Sequence, residues 1–512
     1  MQSNVIVPGA NHRYRNLTVW LLLGATLARI VYVLRGPMQL FPDEAYYWQW
    51  SRYLALSYID EGPMIAYVNR FTTMLGGDCE MALRAGALFF GLGVTILGYL
   101  LAKDIFRSER AGFLTAALLT VAPLFAGGHL VMTYDTPQVF FWALTCFVVW
   151  RIAKGGPSWL WYGAGFSLGL GFLTKYTVLL FLPSVLGFLL TSPRRRAWLL
   201  RPQPYLALLV LVVVSSPVFI WNAQHAGATY GRVGHLALSG GQGFHLSLFT
   251  FLKFLGAQAG IISPLVFIAF IYAVVAAGRR GLGPREEGLG FLFWMAAPTL
   301  IFFGLWSLGA EVKENWPVAG YFAAAGAAAG LFDEALAKPA PIWRRRLVLG
   351  YGVVALVMAF SLTLVAHDMR LLDALGVRIS PRRDPINRAL GWRALGRRAG
   401  EIRAKAKGRY TFLLAPNYGI ASELAFYVPG HPPVYCAKSD RASSHQYALW
   451  PGPEKRIGQD ALFVHEKAGT KVAANLGRLF DKVEAPESLP VVWRGEVIKS
   501  FFIYRCRDYK GK

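Results

Sequence analysis

Long apolar segments, each close to the length that crosses a lipid bilayer, constrain this chain more than any other feature. A spanning helix needs about 20 predominantly apolar residues, because the hydrocarbon core is about 30 Å thick. The composition agrees, since 55% of the residues are hydrophobic and only 16% are charged. We therefore predict a polytopic α-helical membrane protein with about 11 spans. The predicted spans are about 17–35, 82–102, 111–126, 137–150, 159–173, 177–191, 205–221, 249–277, 289–308, 316–332 and 347–366.

The lysines and arginines between these spans are distributed unequally. If the N-terminus is cytoplasmic, the connecting segments on the inner side hold 18 of them and those on the outer side hold 5. Positive charge in short connecting segments marks the cytoplasmic side, so this bias predicts an inside N-terminus. Because this positive charge is sorted by membrane side and not gathered on one face, the formal net charge of +24 does not indicate a nucleic-acid partner, and we expect none.

The run 159–191 is long for one helix and short for two, so its flanking charges decide how it crosses. Arg151 precedes it and Arg195 follows it, which places both ends on the inner side. The number of crossings between them is then even. Lys175 is therefore predicted at the outer tip of a short hairpin.

The first outer segment, residues 36–81, is predicted to form a helix along the membrane surface. Pro42 suits the first helical turn, where Asp43 and Glu44 lie at the end of the helix dipole that favours negative charge. Tyrosines and tryptophans follow at 46–53 with helical spacing. We interpret these aromatic residues as an interfacial anchor without a catalytic role.

The other polar residues of the outer side lie in four short stretches. Asp60 and Glu61 precede a Gly-Pro turn, which holds carboxylates on fixed backbone. Asp135 lies in GGHLVMTYDTP, Arg232 in the loop at 222–248, and Lys313 in GAEVKENWP. Polar chemistry is thus predicted to collect on one face of the membrane.

From residue 368 onward the composition is that of a soluble domain. We predict a basic helix at 386–407, then the segment TFLLAPNYG, a helix across ASELAFYV, and strands at PPVYCAK, DALFVHE and IKSFFIYRCRD. The predicted domains are a transmembrane domain at 1–367 and a small α/β domain at 368–512, which an odd number of spans places outside. Cys436 and Cys506 either pair there or remain free core residues.

Two acidic sites, several cations and a membrane surface suit the transfer of a sugar from a lipid-linked phosphosugar. A carboxylate takes the proton of an acceptor hydroxyl as the hydroxyl attacks the anomeric carbon, and a cation stabilises the departing phosphate. Lys175, Arg232 and Lys313 are the candidate cations. A divalent metal remains an alternative, because clustered carboxylates suit a hard cation equally well.

Four motifs in this order, DEAYYW, DEGP, TYDTPQVFFW and GLGFLTKYTVLL, resemble the bacterial family 39 glycosyltransferases of the GT-C superfamily. That family is similar in turn to the dolichyl-phosphate-mannose protein mannosyltransferases and to the aminoarabinose transferase of lipid A modification. The resemblance covers the membrane region to about residue 320. It implies a GT-C fold, a polyprenyl-phosphate sugar donor, an inverting transfer to a glycan, lipid or protein, and a periplasmic active site at the bacterial inner membrane.

The resemblance also assigns roles to matching residues. Asp43 corresponds to the leading acid of the loop and is implied to be the base, with Glu44 beside it. Asp60 and Glu61 match the second acidic position, Asp135 the acid after the third span, and Lys175 the lysine of the LTK motif. Many relatives carry a His or Lys and two prolines after the second acid, whereas this chain has Gly-Pro. The phosphate or metal role of that position is therefore left open.

Each candidate residue also has a purely structural interpretation. In this interpretation Asp43 is no more than a favourable helix start, Asp135 is the cap of the next span, and Asp60 is part of a solvated turn. Lys175 can extend its ammonium to the lipid headgroups. A lipid or small-anion transporter is the alternative function, although transporters keep their charges near the bilayer midplane and often within repeats.

The predicted topology can be tested with reporter fusions. Fusions at Lys154, Arg232 and the C-terminus should report inside, outside and outside, because the positive charge is biased to one set of connecting segments. A cytoplasmic C-terminus would contradict both the topology and the assignment of an outer active site.

Overall fold

The structure is a computed structural model that describes residues 8–237, 246–283, 286–406, 409–437 and 445–511. Part of the predicted loop at 222–248 lies outside the described residues. The chain divides into two compact units. The first, here called the helical unit, comprises Met1–Val31, Glu61–Met64 and Arg84–Ala366. The second, here called the sheet unit, comprises Tyr32–Asp60, Ile65–Leu83 and His367–Lys512.

The helical unit is built from helices that follow the predicted spans. They are α1 (Pro8–Arg35), α4 (Glu80–Phe106), α5 (Glu109–Val121), α6 (Pro123–Gly128), α7 (Asp135–Ala153), α8 (Leu160–Phe172), α9 (Phe181–Leu190), α10 (Pro193–Arg196), α11 (Pro202–Gln224), α12 (Ala228–Ala237), α13 (Leu248–Ile262), α14 (Pro264–Gly281), α15 (Glu287–Trp306), α16 (Val318–Ala337) and α17 (Ile342–His367). Two short helices, α2 (Pro42–Arg52) and α3 (Met64–Gly76), come between α1 and α4.

The helices of this unit have the character of membrane spans. Within the described residues, seven are long and apolar enough to cross a bilayer: α1, α4, α7, α11, α14, α15 and α17. The apolar windows of α1 and α17 are only 11% and 17% buried inside the protein. Their outer faces therefore present apolar surface that lipid would cover. That the chain crosses the membrane eleven times stays a prediction.

The run predicted as one span at 249–277 is not a single helix. The chain forms two helices there, α13 and α14, because the helix breaks at Ser263, which has a φ of 94°. Pro264 explains the break, since proline disfavours helical geometry in the residue before it. A helix does continue on each side of the break.

Helix α13 runs beside the loop between α15 and α16. The backbone N–H of Ser247 donates to the carbonyl of Leu308 (2.7 Å), and the side-chain amide of Gln258 donates to the carbonyl of Glu314 (3.0 Å). These two donors are eleven residues apart, about 16 Å along a helix, yet both reach the same short loop. Of this pair, only α14 is long and apolar enough to cross a bilayer.

Close contacts between helix backbones depend on glycine in the interior of this unit. Gly281 of α14 faces Gly290 of α15, and a Cβ atom on either residue would overlap backbone atoms of the other. Small residues at such crossings let two helices in a membrane approach closely and gain van der Waals contact. The α14–α15 contact therefore cannot tolerate a side chain at this point.

The sheet unit contains the described elements that follow α17, together with α2 and α3. Its helices are α18 (Arg370–Ala374), α19 (Trp392–Lys405), α20 (Tyr418–Tyr427) and α21 (Thr470–Leu479). Its strands are β1 (Tyr410–Ala415), β2 (Val434–Cys436), β3 (Asp460–His465), β4 (Phe480–Val483), β5 (Glu487–Trp493) and β6 (Glu496–Tyr509). The prediction of an α/β fold here is confirmed, although β1, β4, β5 and α21 were not predicted.

The six strands form one mixed sheet in the order β2-β1-β3-β6-β4, with β5 also paired to β6. Strands β1, β2 and β3 are parallel, and β6 runs antiparallel to its three neighbours. Cys436 lies on β2 and Cys506 on β6, so two strands separate them, a distance of about 14 Å. A disulfide needs Cα atoms within about 7 Å, and both cysteines are free.

The aromatic residues of α2 are packed inside the sheet unit, which contradicts their interpretation as an interfacial anchor. Tyr46, Trp48 and Trp50 are buried, and the rings of Trp50 and Tyr58 stack at 4.2 Å. Only the end of the helix, at Tyr53, is exposed. The helical spacing was correct, but protein and not lipid covers the aromatic face.

The glycine contact between α14 and α15 gives a stability prediction. Gly290→Ala should lower the free energy of unfolding by about 1–3 kcal/mol, because the new methyl group overlaps the backbone of α14. Gly304→Ala is a matched control on the same helix, where no atom would meet the added Cβ. Thermal unfolding in detergent measures both. Equal melting temperatures for the two variants would contradict the packing argument.

Candidate functional site

A buried ion pair joins two of the predicted site residues in the helical unit. Asp135 is the first residue of α7, and Lys175 lies just beyond the end of α8. The Nζ atom of Lys175 is 2.6 Å from Oδ1 of Asp135, and their side chains are only 3% and 13% exposed. The side-chain amide of Asn315 donates to Oδ2 of the same carboxylate at 2.5 Å. Both carboxylate oxygens therefore have partners.

Aromatic rings enclose the ammonium group of Lys175. Its Nζ atom lies 5.1 Å from the centre of the Tyr134 ring and 5.8 Å from that of Trp316. The interpretation of Lys175 as a residue that extends to the lipid headgroups is therefore wrong. The capping interpretation of Asp135 also fails, because α7 has no side-chain cap bond and the Asp135 carboxylate is occupied elsewhere.

The EGP segment packs directly against the residues before Lys175. The backbone N–H of Met64 donates to the carbonyl oxygen of Leu173 at 3.0 Å. A Cβ atom on Gly62 would overlap that same carbonyl oxygen. Glycine is thus required by close approach of two backbones. This close approach gives a physical reason for the Gly-Pro that this chain carries after the second acid. It also places the segment that contains Glu61 next to the LTK motif.

A cavity of about 230 Å³ opens beside Asp135, also within the helical unit. Asn315 and His129 line it, together with apolar and glycine residues. His129 is only 3% exposed, and among the described residues neither ring nitrogen has a hydrogen-bond partner. The cavity therefore offers a carboxylate, an amide and an imidazole on a mainly apolar wall.

The other predicted acids lie in the sheet unit. Asp43, at the start of α2, accepts a hydrogen bond from the hydroxyl of Tyr418 at 3.0 Å. A guanidinium nitrogen of Arg388 lies 3.6 Å from its other oxygen, and the Asp43 side chain is 37% exposed. Burial and the Asp43 carboxylate raise the pKa of Tyr418, so its hydroxyl keeps its proton and remains a donor. Asp43 is therefore positioned and accessible.

Asp60 is held by a buried tyrosine. The hydroxyl of Tyr46 donates to Oδ2 of Asp60 at 2.7 Å and accepts from the backbone N–H of Gln446 at 2.5 Å. Burial, with the Asp60 charge, raises the pKa of Tyr46. The Gln446 side chain in turn accepts from the backbone N–H of Ile59 at 2.9 Å. This network fixes the backbone around Asp60, so the solvated-turn interpretation is wrong for Asp60.

The remaining predicted residues have different surroundings. Glu44 is buried, and its carboxylate accepts from the backbone N–H of Phe41 at 3.1 Å, which is a helix-start role. Arg232 is half-buried on α12, and Lys313 is exposed. Within the described ranges, no group of three or more His, Cys, Asp or Glu side chains is arranged to hold a metal ion. The catalytic and phosphate roles of these three residues stay predictions.

Several partners of the predicted residues were not identified from sequence. Asn315 lies in the GAEVKENWP stretch that was singled out for its charges, so an amide beside them was the available signal. Tyr418 and Arg388 lie more than 300 residues from Asp43, and no local pattern links them to it. Tyr46 was noticed only as an aromatic residue. Long-range partners of this kind have no signal in a single sequence.

Comparison with known proteins finds one family profile that matches part of the chain and two similar proteins. The sequence profile of the dolichyl-phosphate-mannose-protein mannosyltransferase family matches residues 60–221. Lipid A galacturonosyltransferase RgtD of Rhizobium johnstonii is 30% identical over 304 residues, 59% of this chain and 63% of that protein. The undecaprenyl phosphate-α-4-amino-4-deoxy-L-arabinose arabinosyl transferase of Serratia proteamaculans is 26% identical over 228 residues, 40% of each chain. The chain thus covers less than two thirds of either relative.

The solved structures extend the likeness to the whole chain. ArnT from Cupriavidus metallidurans, bound to undecaprenyl phosphate, superposes with a TM-score of 0.61 at 16% identity, covering 96% of this chain and 98% of that one. This chain has the ArnT fold. The resemblance predicted from the four motifs is confirmed, and so is the GT-C fold class. The profile match includes Asp60, Glu61, Asp135 and Lys175, and it ends before Arg232.

The buried ion pair gives a second stability prediction. Lys175→Met should destabilise the protein by about 3–5 kcal/mol, because it leaves the Asp135 carboxylate buried without its cation. The double variant Lys175→Met/Asp135→Asn removes both charges and should recover most of this loss. Thermal unfolding of the three proteins in one detergent provides the measurement. If the double variant is less stable than Lys175→Met, the two charges do not depend on each other.

Proposed function

We propose that this protein is an integral-membrane glycosyltransferase that moves a sugar from a polyprenyl-phosphate donor to an acceptor glycolipid such as lipid A. The observation that carries this proposal is the buried Lys175–Asp135 pair, with the EGP and LTK segments packed together beside it. A cation that is fixed and shielded from water suits a lipid-linked phosphate. The ArnT fold and the similarity to two lipid A-modifying or undecaprenyl-phosphate-dependent transferases support the same assignment.

Asp43 is proposed as the general base. It is an accessible carboxylate with one oxygen fixed by Tyr418, which keeps the carboxylate oriented. As the acceptor hydroxyl forms its bond to the anomeric carbon, its proton passes to Asp43. The bond from the anomeric carbon to the donor phosphate breaks, and the electron pair leaves with the polyprenyl phosphate. Attack opposite the leaving group inverts the anomeric centre.

Lys175 is proposed to stabilise the departing phosphate. An ammonium group has three N–H donors, and Asp135 accepts from one of them. The others can meet phosphate oxygens, whose negative charge grows as the bond to the sugar breaks, so the contact is strongest in the transition state. Asp135 and Asn315 then act as positioning residues that hold the lysine. Arg232 and Lys313 are further candidate phosphate ligands.

The orientation follows from the charge bias between connecting segments. We propose that the protein lies in the bacterial inner membrane, with its N-terminus in the cytoplasm and Asp43 and residues 368–512 on the periplasmic side. The donor and the acceptor of the proposed reaction are both membrane lipids, and in this orientation they meet Asp43 on the periplasmic side. A transporter is not favoured, because the charged candidates lie in loops and at helix ends and not in the middle of spans.

The proposal predicts the behaviour of Asp43→Asn. The substitution removes the proton acceptor with little change in volume, so turnover should fall by about two to four orders of magnitude while folding survives. The assay uses purified full-length protein, undecaprenyl phosphate-linked 4-amino-4-deoxyarabinose or galacturonic acid, and lipid A, with products measured by mass spectrometry. Asp481→Asn, which removes an exposed carboxylate of the same unit, is the control.

Two outcomes would contradict the proposal. Wild-type turnover in purified Asp43→Asn would remove Asp43 from the role of base. Absence of sugar transfer by the wild-type protein from either donor, together with donor lipid movement across vesicles, would favour the transporter instead. Glu44→Gln should be milder than Asp43→Asn, since its carboxylate is engaged at the helix start.

A further inference from the structure

A second cavity of about 360 Å³ lies within the sheet unit and adjoins Asp43. Arg388 and Tyr418, the two side chains that contact Asp43, both line this cavity. Its volume is within the range of about 300–1,000 Å³ that is typical of small-molecule sites. A molecule bound in it would therefore lie beside the proposed base.

The walls of this cavity carry more positive than negative charge. Arg388 and Lys499 line it as cations, and Glu466 is the one acidic side chain among the described lining residues. The start of α20, at Tyr418, also lines it, and the N-terminus of a helix carries partial positive charge. Asp43 lies 3.6 Å from Arg388 and offsets part of its charge, so Lys499 is the wall cation that most favours an anionic ligand.

Lys499 is an ammonium group held over an aromatic ring. Its Nζ atom lies 4.3 Å from the centre of the Trp392 ring, and within the described part of the chain it forms no ion pair. Burial lowers the pKa of Lys499 and the charge of Arg388 adds to this shift, while the carboxylates of Glu466 and Glu423 oppose it. A half-buried cation of this kind is stabilised when an anion binds to it.

We propose that the cavity binds an anionic group of the acceptor, a phosphate or carboxylate of a glycolipid, and so directs an acceptor hydroxyl to Asp43. The inference rests on the proposed function, because Asp43 is the group that receives the acceptor proton. Lys499 and Arg388 bind the anion, and the buried Trp392 ring lies beneath the Lys499 ammonium and supports it. Acceptor choice is therefore a property of the sheet unit.

Lys499→Met tests this proposal, because it removes the charge and keeps an apolar chain over Trp392. The full-length protein in phosphatidylcholine nanodiscs is titrated with bisphosphorylated lipid A, and separately with undecaprenyl phosphate, without any sugar transfer. The dissociation constant for lipid A should rise about tenfold, as expected when one charge-assisted contact is lost, and that for undecaprenyl phosphate should not change. Lys499→Arg, which retains the charge, should recover most of the affinity.

The control is Lys482→Met, which removes an exposed lysine from β4 of the same sheet. Equal lipid A affinity in Lys499→Met and Lys482→Met would overturn the proposal. Weaker binding of undecaprenyl phosphate in Lys499→Met would overturn it too, since the cavity would then hold the donor phosphate. Because binding is measured without turnover, failure of the inference is distinct from failure of the wild-type protein to transfer sugar.

Discussion

The buried ion pair between Lys175 and Asp135 is the interaction on which the candidate site of the helical unit depends. Isolating either charge away from water costs several kcal/mol, so each residue requires the other. Asn315 satisfies the second carboxylate oxygen, and two aromatic rings face the ammonium. The pair therefore ties together the start of α7, the end of α8 and the loop before α16. These three segments are far apart in the chain.

Neighbouring carboxylates have different roles because their surroundings differ. Asp43 and Glu44 are adjacent in sequence, yet Asp43 is partly exposed while Glu44 is buried at the helix start. Asp60 is held by a tyrosine that burial keeps protonated. A carboxylate that must accept a proton from a substrate needs access, and those that shape the loop need fixed partners. Among these three acids, Asp43 meets the first requirement.

The high positive charge of the chain is accommodated in part by ion pairs at the helix ends of the helical unit. Arg280 pairs with Glu286 and Glu334, both at 2.8 Å, and Arg110 pairs with Asp333. All of these cations lie in segments that the charge bias assigns to the inner side. Lys499 of the proposed acceptor cavity differs, because it forms no ion pair among the described residues and is available to a ligand.

Apolar run length, charge bias and four short motifs determined the fold class, the family resemblance and the main candidate acids from the sequence alone. These signals are local, because span length and motif order are properties of contiguous residues. The sequence misjudged the run at 249–277, since hydropathy does not register the break that Pro264 imposes. It also assigned the aromatic face of α2 to the membrane. Periodicity shows that a face is apolar but not what covers it.

Tertiary structure decided which residues share a site. It joined Asp135 to Lys175 and Asn315, and it joined Asp43 to Tyr418 and Arg388 from the far end of the chain. It also separated Cys436 from Cys506 by two strands. Such pairings depend on chain topology and on the burial of charge, and neither quantity is encoded in the spacing of residues along the sequence.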